Sequence, residues 1–188
     1  MMSQGTNISD FFPDVVKNVV VKSVEVKKMV YIYLVHYADF DRRCREIALL
    51  SINSFQKDLA GGNQLIRGLA LRVMTSIRVP DVIQIQVLAV RKCSADSSPY
   101  VRKCAAIALP KIFSLDSSQL EHLEEILSTL LADSSTMVLG SVVVAFNEIC
   151  PTHLHLIHPH FRKICLLLTD MDEWTQVNRI LLTSLYIY

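Results

Sequence analysis

The sequence predicts an all-α fold, a right-handed α-solenoid built from helix pairs. The first observation behind this prediction is a pattern of apolar residues with helical spacing that recurs along the chain. The second is that no segment shows the alternation of apolar and polar residues, or the Asn-Gly turns, that indicate a β-sheet. The third is a composition of 51% hydrophobic and 20% charged residues, which is typical of an ordered globular chain.

The recurring pattern places apolar or small residues at positions i, i+3, i+4, i+7, i+8 and i+11, which form one face of an α-helix. Five stretches meet it: residues 26–37, 66–77, 101–112, 138–149 and 177–188. Their starts lie 35 to 40 residues apart, which is the length of one helix pair in HEAT and armadillo repeats. A basic residue follows the first position in three copies, as Lys27, Arg67 and Arg102. We therefore expect one helix of each pair at these five stretches.

The second helix of each pair is predicted in the gaps, at about residues 9–20, 42–59, 81–93, 118–132 and 158–168. Ser98 followed by Pro99 is a typical helix start, and Ser118 with Glu121 forms a capping-box pattern. Residues 1–188 are therefore interpreted as about five helix pairs of one solenoid, which is either one domain or part of a longer repeat array. Such a fold offers long lateral and concave surfaces in place of a central pocket, which favours binding over catalysis.

Charge, hydropathy and cysteine content argue against several classes of function. The formal net charge of +1 gives no field that would indicate nucleic acid binding. Polar or charged residues interrupt the apolar stretches before they reach the length of a membrane span, and the N-terminus lacks the pattern of a secretory signal. The five cysteines are odd in number and lie in apolar helical segments, which fits reduced thiols in the cytosol.

Residues 153–160, HLHLIHPH, contain four of the six histidines, with Cys150 before them and Cys165 after them. Imidazole and thiolate are the usual ligands of zinc, but this spacing matches no standard zinc motif. In helical geometry the four histidines do not converge on one ion, and Pro151 and Pro159 indicate a helix stop and a helix start. The segment is interpreted as a structural turn, with no metal and no cofactor. Adventitious metal binding and a zinc site, with a metal hydrolase as the enzymatic version, are the alternatives.

Three further groups of residues have both a structural and a functional interpretation. Cys44 lies between two arginines and is either a structural thiol or one with a lowered pKa. The run MVYIYLVHY at residues 29–37 is interpreted as a core-packing face, with a ligand groove as the alternative. Arg67 and Arg102 are expected to hydrogen-bond carbonyls or carboxylates between repeats, with phosphate binding as the alternative.

Six stretches of the sequence resemble, in order along the chain, one known family. They are FFPDVVKNV (11–19), VEVKKMVYIYLVHYA (24–38), ALLSINSFQKDL (48–59), NQLIRGLALRVMTSIRV (63–79), SPYVRKCAAIALPKIF (98–113) and GSVVVAFNEICP (140–151). The family is that of the beta-adaptins, the large beta subunits of heterotetrameric clathrin-type adaptor complexes. Within it, LIHPHFRKICLLLTDMDEW (156–174) is most similar to the beta subunit of adaptor-protein complex 3.

The resemblance implies an N-terminal fragment of an adaptin trunk, a non-enzymatic scaffold for a second large, a medium and a small subunit. It also implies protein transport between Golgi, endosomes and lysosomes or vacuoles, with a cytoplasmic chain held peripherally on Golgi and endosomal membranes and on transport vesicles. Beta trunks of related adaptors can present apolar residues to a small GTPase of the Arf class, which makes Leu49, Ile52 and Phe55 candidate partner-binding residues. The alternatives are that these three side chains face the solenoid core, and that the chain is a generic HEAT-repeat protein-binding or transport-receptor module.

Overall fold

The computed structural model describes residues 7–38 and 40–167. Every regular element in these two ranges is an α-helix or a short 3-10 helix, so the all-α prediction is confirmed for them. The α-helices are α1 (Phe12–Lys17), α2 (Val24–Tyr37), α3 (Arg42–Leu50), α4 (Ile52–Leu59), α5 (Gln64–Met74), α6 (Ile83–Ser94), α7 (Pro99–Leu115), α8 (Leu120–Leu131), α9 (Thr136–Ile149), α10 (Leu154–Ile157) and α11 (Phe161–Leu166). Within the same ranges, none of these helices combines the length with the apolar character that a bilayer crossing requires.

The chain divides into two compact units, Met1–Ala89 and Val90–Tyr188. In the first unit, α2 and α4 both pack on α5, and α1 contacts α2 and α3. Its core contains a set of buried aromatic rings, those of Phe12, Tyr31, Tyr33, Tyr37 and Phe55. Gln86 on α6 donates from its buried amide to the carbonyls of Met74 and Ile77, at 2.7 and 2.8 Å. These two bonds satisfy the carbonyl of Met74, the last residue of α5, and that of Ile77 in the segment that follows the helix.

In the second unit, α7 packs along α9, and α8 contacts both of them. The side chains between these helices are apolar and fully buried, among them Leu109, Ile112, Leu127 and Phe146, each 0% exposed. Burial of one such side chain contributes about 1.5–3 kcal/mol to the stability of the fold. The short helix α10 contacts α8, which brings the segment after α9 back onto the same unit.

Four of the five predicted repeat helices are confirmed, because the patterns that start at residues 26, 66, 101 and 138 begin in α2, α5, α7 and α9. The second of these helices ends early, since α5 stops at Met74 and Ile77 lies beyond it. In α7 the predicted core face and the observed core face are the same, since all six residues of the pattern at 101–112 are buried. In α9 five of the six pattern residues at 138–149 are buried, and Ser141 is half-buried. The fifth copy, at 177–188, lies outside the described residues.

The predicted helix at residues 42–59 is wrong in one respect, because two helices meet there at Ser51. The Ser51 N–H donates back to the last turn of α3 at 3.0 Å, and its carbonyl accepts the Phe55 N–H at 3.2 Å. Its backbone has φ −94° and ψ 0°, which lies between the helical and extended regions and changes the chain direction. Leu49 and Ile52 therefore lie on different helices, one on each side of the break.

The predicted helices at 9–20 and 158–168 are also shorter than expected. In the first, 3-10 turns at residues 9–11 and 18–20 flank α1. In the second, α10 is followed by a 3-10 turn at His158–His160, which contains Pro159, and then by α11. Because proline lacks the N–H that an α-helix needs, it interrupts a helix that periodicity alone would extend.

The predicted capping box at Ser118 and Glu121 is wrong. The Asp116 carboxylate accepts the Ser118 N–H at 3.0 Å and so caps a 3-10 turn, after which α8 begins at Leu120. An aspartate binds the backbone N–H two residues on in this way and competes with serine for the start of a helix. The start of α8 therefore lies two residues beyond the position that the sequence predicts.

Candidate functional site

The three residues predicted to bind a partner do not share one exposed surface. Leu49 on α3 and Ile52 on α4 are half-buried. Phe55 on α4 is 0% exposed, and its ring packs edge-on against that of Tyr31, with 5.8 Å between the ring centroids. Phe55 is therefore a core residue, because the face of α4 that carries it packs on the rest of the first unit. Leu49 and Ile52 stay a prediction as partner-binding residues.

Leu50, which the sequence analysis did not select, is the most exposed large apolar residue at this place, with 84% of its surface accessible. It is the last residue of α3, directly before the break at Ser51. Successive residues of a helix point about 100° apart, so two consecutive leucines face different directions, although both can be buried, as Leu130 and Leu131 on α8 are. The sequence alone therefore does not tell which of Leu49 and Leu50 faces outward.

The apolar run on α2 is divided between core and surface. The interpretation of residues 29–37 as a core-packing face is confirmed for Val30, Tyr31, Tyr33, Leu34 and Tyr37, which are buried. Met29 is 75% exposed and Ile32 is 51% exposed, however, so the helix also presents apolar side chains to solvent. Met29 borders an open groove of about 440 Å³ that is lined by Val15, Asn18, Val26, Val30 and Tyr33 as well. Exposed apolar patches of this kind are typical of surfaces that bind other proteins.

The second unit has an apolar groove of its own, of about 350 Å³, between α7 and α9. Pro110 lies in the middle of α7 and forms part of the groove wall. Because proline has no N–H, it cannot donate the backbone hydrogen bond that another residue would make at this position of α7. One positive and one negative side chain, Lys111 and Glu148, lie at the groove beside Ile107 and Val144.

Arg102 on α7 joins the start of its own helix to the loop between α8 and α9. Its Nε and Nη2 atoms donate to the Asp133 carboxylate at 2.5 and 3.1 Å. Its Nη1 atom donates to the carbonyls of Asp96 and Ser97 at 2.8 and 3.1 Å. The side chains of Arg102 and Asp133 are only 18% and 6% exposed. The planar guanidinium supplies several donors in fixed directions, which is why one arginine can hold two segments.

The loop that contains Asp133 is held from a second direction. Lys163 on α11 donates from Nζ to the Asp133 carbonyl at 2.5 Å. Burial raises the pKa of the Asp133 carboxyl, but hydrogen bonds from Arg102 and from the Ser135 N–H, with the charges of Arg102 and Lys163, outweigh it and hold this pKa below its ordinary value. The carboxylate is therefore ionised at neutral pH and keeps the loop bound to α7.

A similar arrangement occurs in the first unit. Lys27 Nζ donates to both carboxylate oxygens of Asp58 at 2.7 and 2.8 Å, and 31 residues separate the two partners, as they separate Arg102 from Asp133. Arg67 donates from Nη1 to the carbonyls of the two glycines before α5, each at 3.0 Å. The prediction of hydrogen bonds to carbonyls or carboxylates is confirmed for Arg67 and Arg102, although the Arg67 bonds to Gly61 and Gly62 stay in the loop before its own helix. Lys27 and Arg102 each bind a carboxylate 31 residues further along the chain.

Cys44 is a buried structural thiol, and the alternative of a lowered thiol pKa is wrong. The residue is 2% exposed. Burial, together with the neighbouring Asp41, raises the pKa of the Cys44 thiol to about 11, against a smaller opposite effect of Arg43. A thiol of this pKa is protonated at neutral pH and is a poor nucleophile.

The turn after α9 brings together three side chains that commonly bind metals. Cys150 follows the last residue of α9, and the His153 N–H donates to the Cys150 carbonyl at 3.0 Å, so residues 150–153 form a tight turn. The turn predicted for residues 153–160 is therefore only partly confirmed: the turn comes at 150–153, and α10 and a 3-10 turn follow over residues 154–160. His153 Nδ1 lies 2.5 Å from Glu124 Oε1 on α8, and the Cys150 Sγ atom completes a group whose ligand atoms all lie within 4.8 Å of one another.

The environment of Cys150 is more strongly apolar than that of its two neighbours. The residue is 3% exposed, whereas the side chains of His153 and Glu124 are 40% and 21% exposed. Burial, and secondarily the charge of Glu124, raises the pKa of the Cys150 thiol to about 12. Sequence reasoning missed Glu124 because it lies on another helix, α8, and far from Cys150 along the chain. Its one signal was its place in the predicted helix at 118–132.

Comparison with known proteins assigns this arrangement of helices to a family. The adaptin N-terminal region matches residues 1–188, which is the full length of the chain. The chain belongs to the adaptin family. This adaptin is 53% identical over 186 residues to the mouse AP-3 complex subunit beta-2, covering 99% of the chain and 17% of the relative. It is 54% identical over 177 residues to the Dictyostelium discoideum AP-3 complex subunit beta and to the human AP-3 complex subunit beta-1, covering 94% of the chain and 16% of each.

The adaptin chain thus spans about a sixth of the length of these relatives. A homology model of the full-length AP-3 complex in an intermediate open conformation contains a similar chain. The match covers 95% of this chain and 28% of the chain in that complex, with a TM-score of 0.69 and 33% identity. An engineered protein is also similar, and the match covers 89% of this chain and 75% of the engineered one. Its TM-score is 0.61 and its identity 19%, so this likeness shows the fold alone. The predicted family and the predicted fold class, an α-solenoid of helix pairs, are confirmed.

Proposed function

We propose that this adaptin is a non-enzymatic scaffold, the N-terminal part of the trunk of a beta subunit in an AP-3-type adaptor complex. The observation that supports this most is the identity of 53–54% to AP-3 beta subunits over 94–99% of the chain. In this proposal residues 1–188 are a single fragment of the solenoid with about five helix pairs. In such a scaffold the stacked helices bury their apolar faces against each other, and their outer surfaces bind partners.

The partners in this proposal are the second large, the medium and the small subunit of the complex. The apolar groove beside Met29 and the one between α7 and α9 supply surfaces of the kind that subunit contacts use. Through these subunits the chain acts in protein transport between Golgi, endosomes and lysosomes or vacuoles. Its place is cytoplasmic, peripheral on Golgi and endosomal membranes and on transport vesicles.

A chimera tests this proposal. The matching N-terminal segment of a full-length AP-3 beta subunit is replaced by these 188 residues, and the complex is purified from cells through a tag on the chimera. Recovery of the second large, medium and small subunits in the amounts obtained with the unchanged beta subunit is expected. A chimera that is stable but recovers none of them would refute the scaffold function and favour a generic HEAT-repeat binding module.

Leu49 and Ile52 provide a second test, which concerns an Arf-class GTPase. We expect the double substitution Leu49→Ser and Ile52→Ser to reduce binding of the GTP-bound GTPase at least about fivefold, because loss of a partner-facing apolar residue costs about 1 kcal/mol or more. Binding is measured on vesicles that carry the GTPase. Leu88→Ser, at a site on α6 that is 66% exposed, is the matched control and leaves binding unchanged. Equal binding by all three proteins would remove Leu49 and Ile52 from the interface.

A further inference from the structure

We propose that Glu124, Cys150 and His153 form a binding site for one divalent ion of the zinc class. Their ligand atoms lie within 4.8 Å of one another. The ligand atoms around a tetrahedral zinc ion lie about 3.3–3.7 Å apart, so the widest pair needs to close by about 1.5 Å at most. The His153 Nδ1 and Glu124 Oε1 atoms, at 2.5 Å, need to move apart by about 1 Å. Rotation of two partly exposed side chains provides a movement of this size, and the backbone can stay in place.

The backbone holds the three ligands in position without a metal. Two of them belong to one turn, in which the Cys150 N–H donates to the Phe146 carbonyl at 2.9 Å and the His153 N–H donates to the Cys150 carbonyl at 3.0 Å. The third, Glu124, comes from α8, which packs on α9 and contacts α10. All three therefore lie on rigid elements of the second unit, and a metal site needs this preorganisation in order to bind with useful affinity.

The set of donor atoms indicates which metals the site would accept. A sulfur, an imidazole nitrogen and a carboxylate oxygen suit zinc and similar transition metals, whereas magnesium and calcium prefer oxygen ligands alone. The site is buried on the side of Cys150, at 3% exposed, and open on the side of His153, at 40%. The fourth ligand can therefore be a solvent molecule. It can also be the neighbouring His155, whose ring centroid lies 5.8 Å from that of His153.

The competing explanation is an ordinary ion pair next to a core cysteine. A histidine–carboxylate pair at the surface contributes little and requires no third group. A metal site, by contrast, requires all three residues at once. It would tie α8, the end of α9 and the start of α10 together, and it is independent of the proposed scaffold function. The two explanations differ in what happens when Glu124 alone is changed.

A cobalt titration distinguishes the metal site from the ordinary ion pair. It uses the purified 188-residue chain after a chelator has removed any bound metal. Cobalt bound by a thiolate gives a charge-transfer absorption band, and zinc added afterwards abolishes it. We expect one ion per chain, no band in Cys150→Ser, and affinity at least about tenfold lower in Glu124→Gln and His153→Asn, since loss of a direct ligand exceeds the loss of a supporting residue. If Cys150→Ser does not fold, Glu124→Gln and His153→Asn decide between the two explanations. Their side chains are partly exposed, so we expect both variants to fold.

His160→Ala and Cys165→Ser are the matched controls, since they remove a histidine and a cysteine of the same segment that lie outside the group. Both are expected to keep the band and the affinity of the unchanged chain. Binding of less than one ion per chain, a band that survives in Glu124→Gln and His153→Asn at full affinity, or an equal loss in the two controls would each mean an adventitious ion only and would overturn the proposal.

Discussion

Replacement of Arg102 by alanine is expected to lower the free energy of unfolding by about 3–5 kcal/mol, because it leaves the buried carboxylate of Asp133 without the cation that hydrogen-bonds it. The Asp133 side chain is 6% exposed, and Arg102 supplies two of its hydrogen bonds. The substitution also removes the donor to the Asp96 and Ser97 carbonyls. Urea denaturation followed by circular dichroism measures the change.

Arg91→Ala is the control for this prediction, since it breaks an arginine–carboxylate pair of the same unit at the surface. Arg91 and Glu125 are 49% and 64% exposed, and such pairs contribute about 0–1 kcal/mol. An effect of Arg102→Ala no larger than that of Arg91→Ala would show that the Arg102 contacts do not hold the helices together.

Replacement of Phe55 by alanine is expected to destabilise the chain by about 3–5 kcal/mol, the cost of a large cavity in a core. The ring is 0% exposed and packs against Tyr31, so nothing fills the space that it leaves. Thermal and urea unfolding measure the loss. Phe11→Ala is the matched control, because Phe11 is 58% exposed and its truncation is expected to change stability by no more than about 0.5 kcal/mol.

The result for Phe55 also decides between its two interpretations. A protein with Phe55→Ala that keeps the stability of the unchanged chain but loses a binding partner would restore Phe55 to the partner-binding surface. A large loss of stability confirms that it belongs to the core. Leu49 and Ile52 are tested apart from Phe55, by the double substitution, because both are half-buried and outside the core.

The repeat helices could be predicted because their signal is local. In α7, the residues that face the core are those that the 3.6-residue period selects, and all six are buried. The bonds of Arg102 could also be expected in kind, since the basic residue stands at the same position in three copies of the pattern. Its partner Asp133 could not, because 31 residues of chain separate the two.

Two errors of prediction, at Ser51 and at the start of α8, arise from competition between local backbone preferences and periodicity. Ser51 divides a helix whose apolar pattern continues across it. Asp116 takes over the cap that the sequence assigns to Ser118. The outward position of Leu50, and the approach of Glu124 to the turn at Cys150, depend on how helices pack, and a single sequence does not contain that information.

If this chain is a trunk segment, as we propose, it assembles with sibling adaptor subunits. Co-expression of the chain with the second large subunit and the small subunit of an AP-3 complex, followed by size-exclusion chromatography, measures this assembly. We expect the chain to co-elute with both, at one copy per complex. Elution of a folded chain alone, at its own size and apart from these subunits, would contradict it.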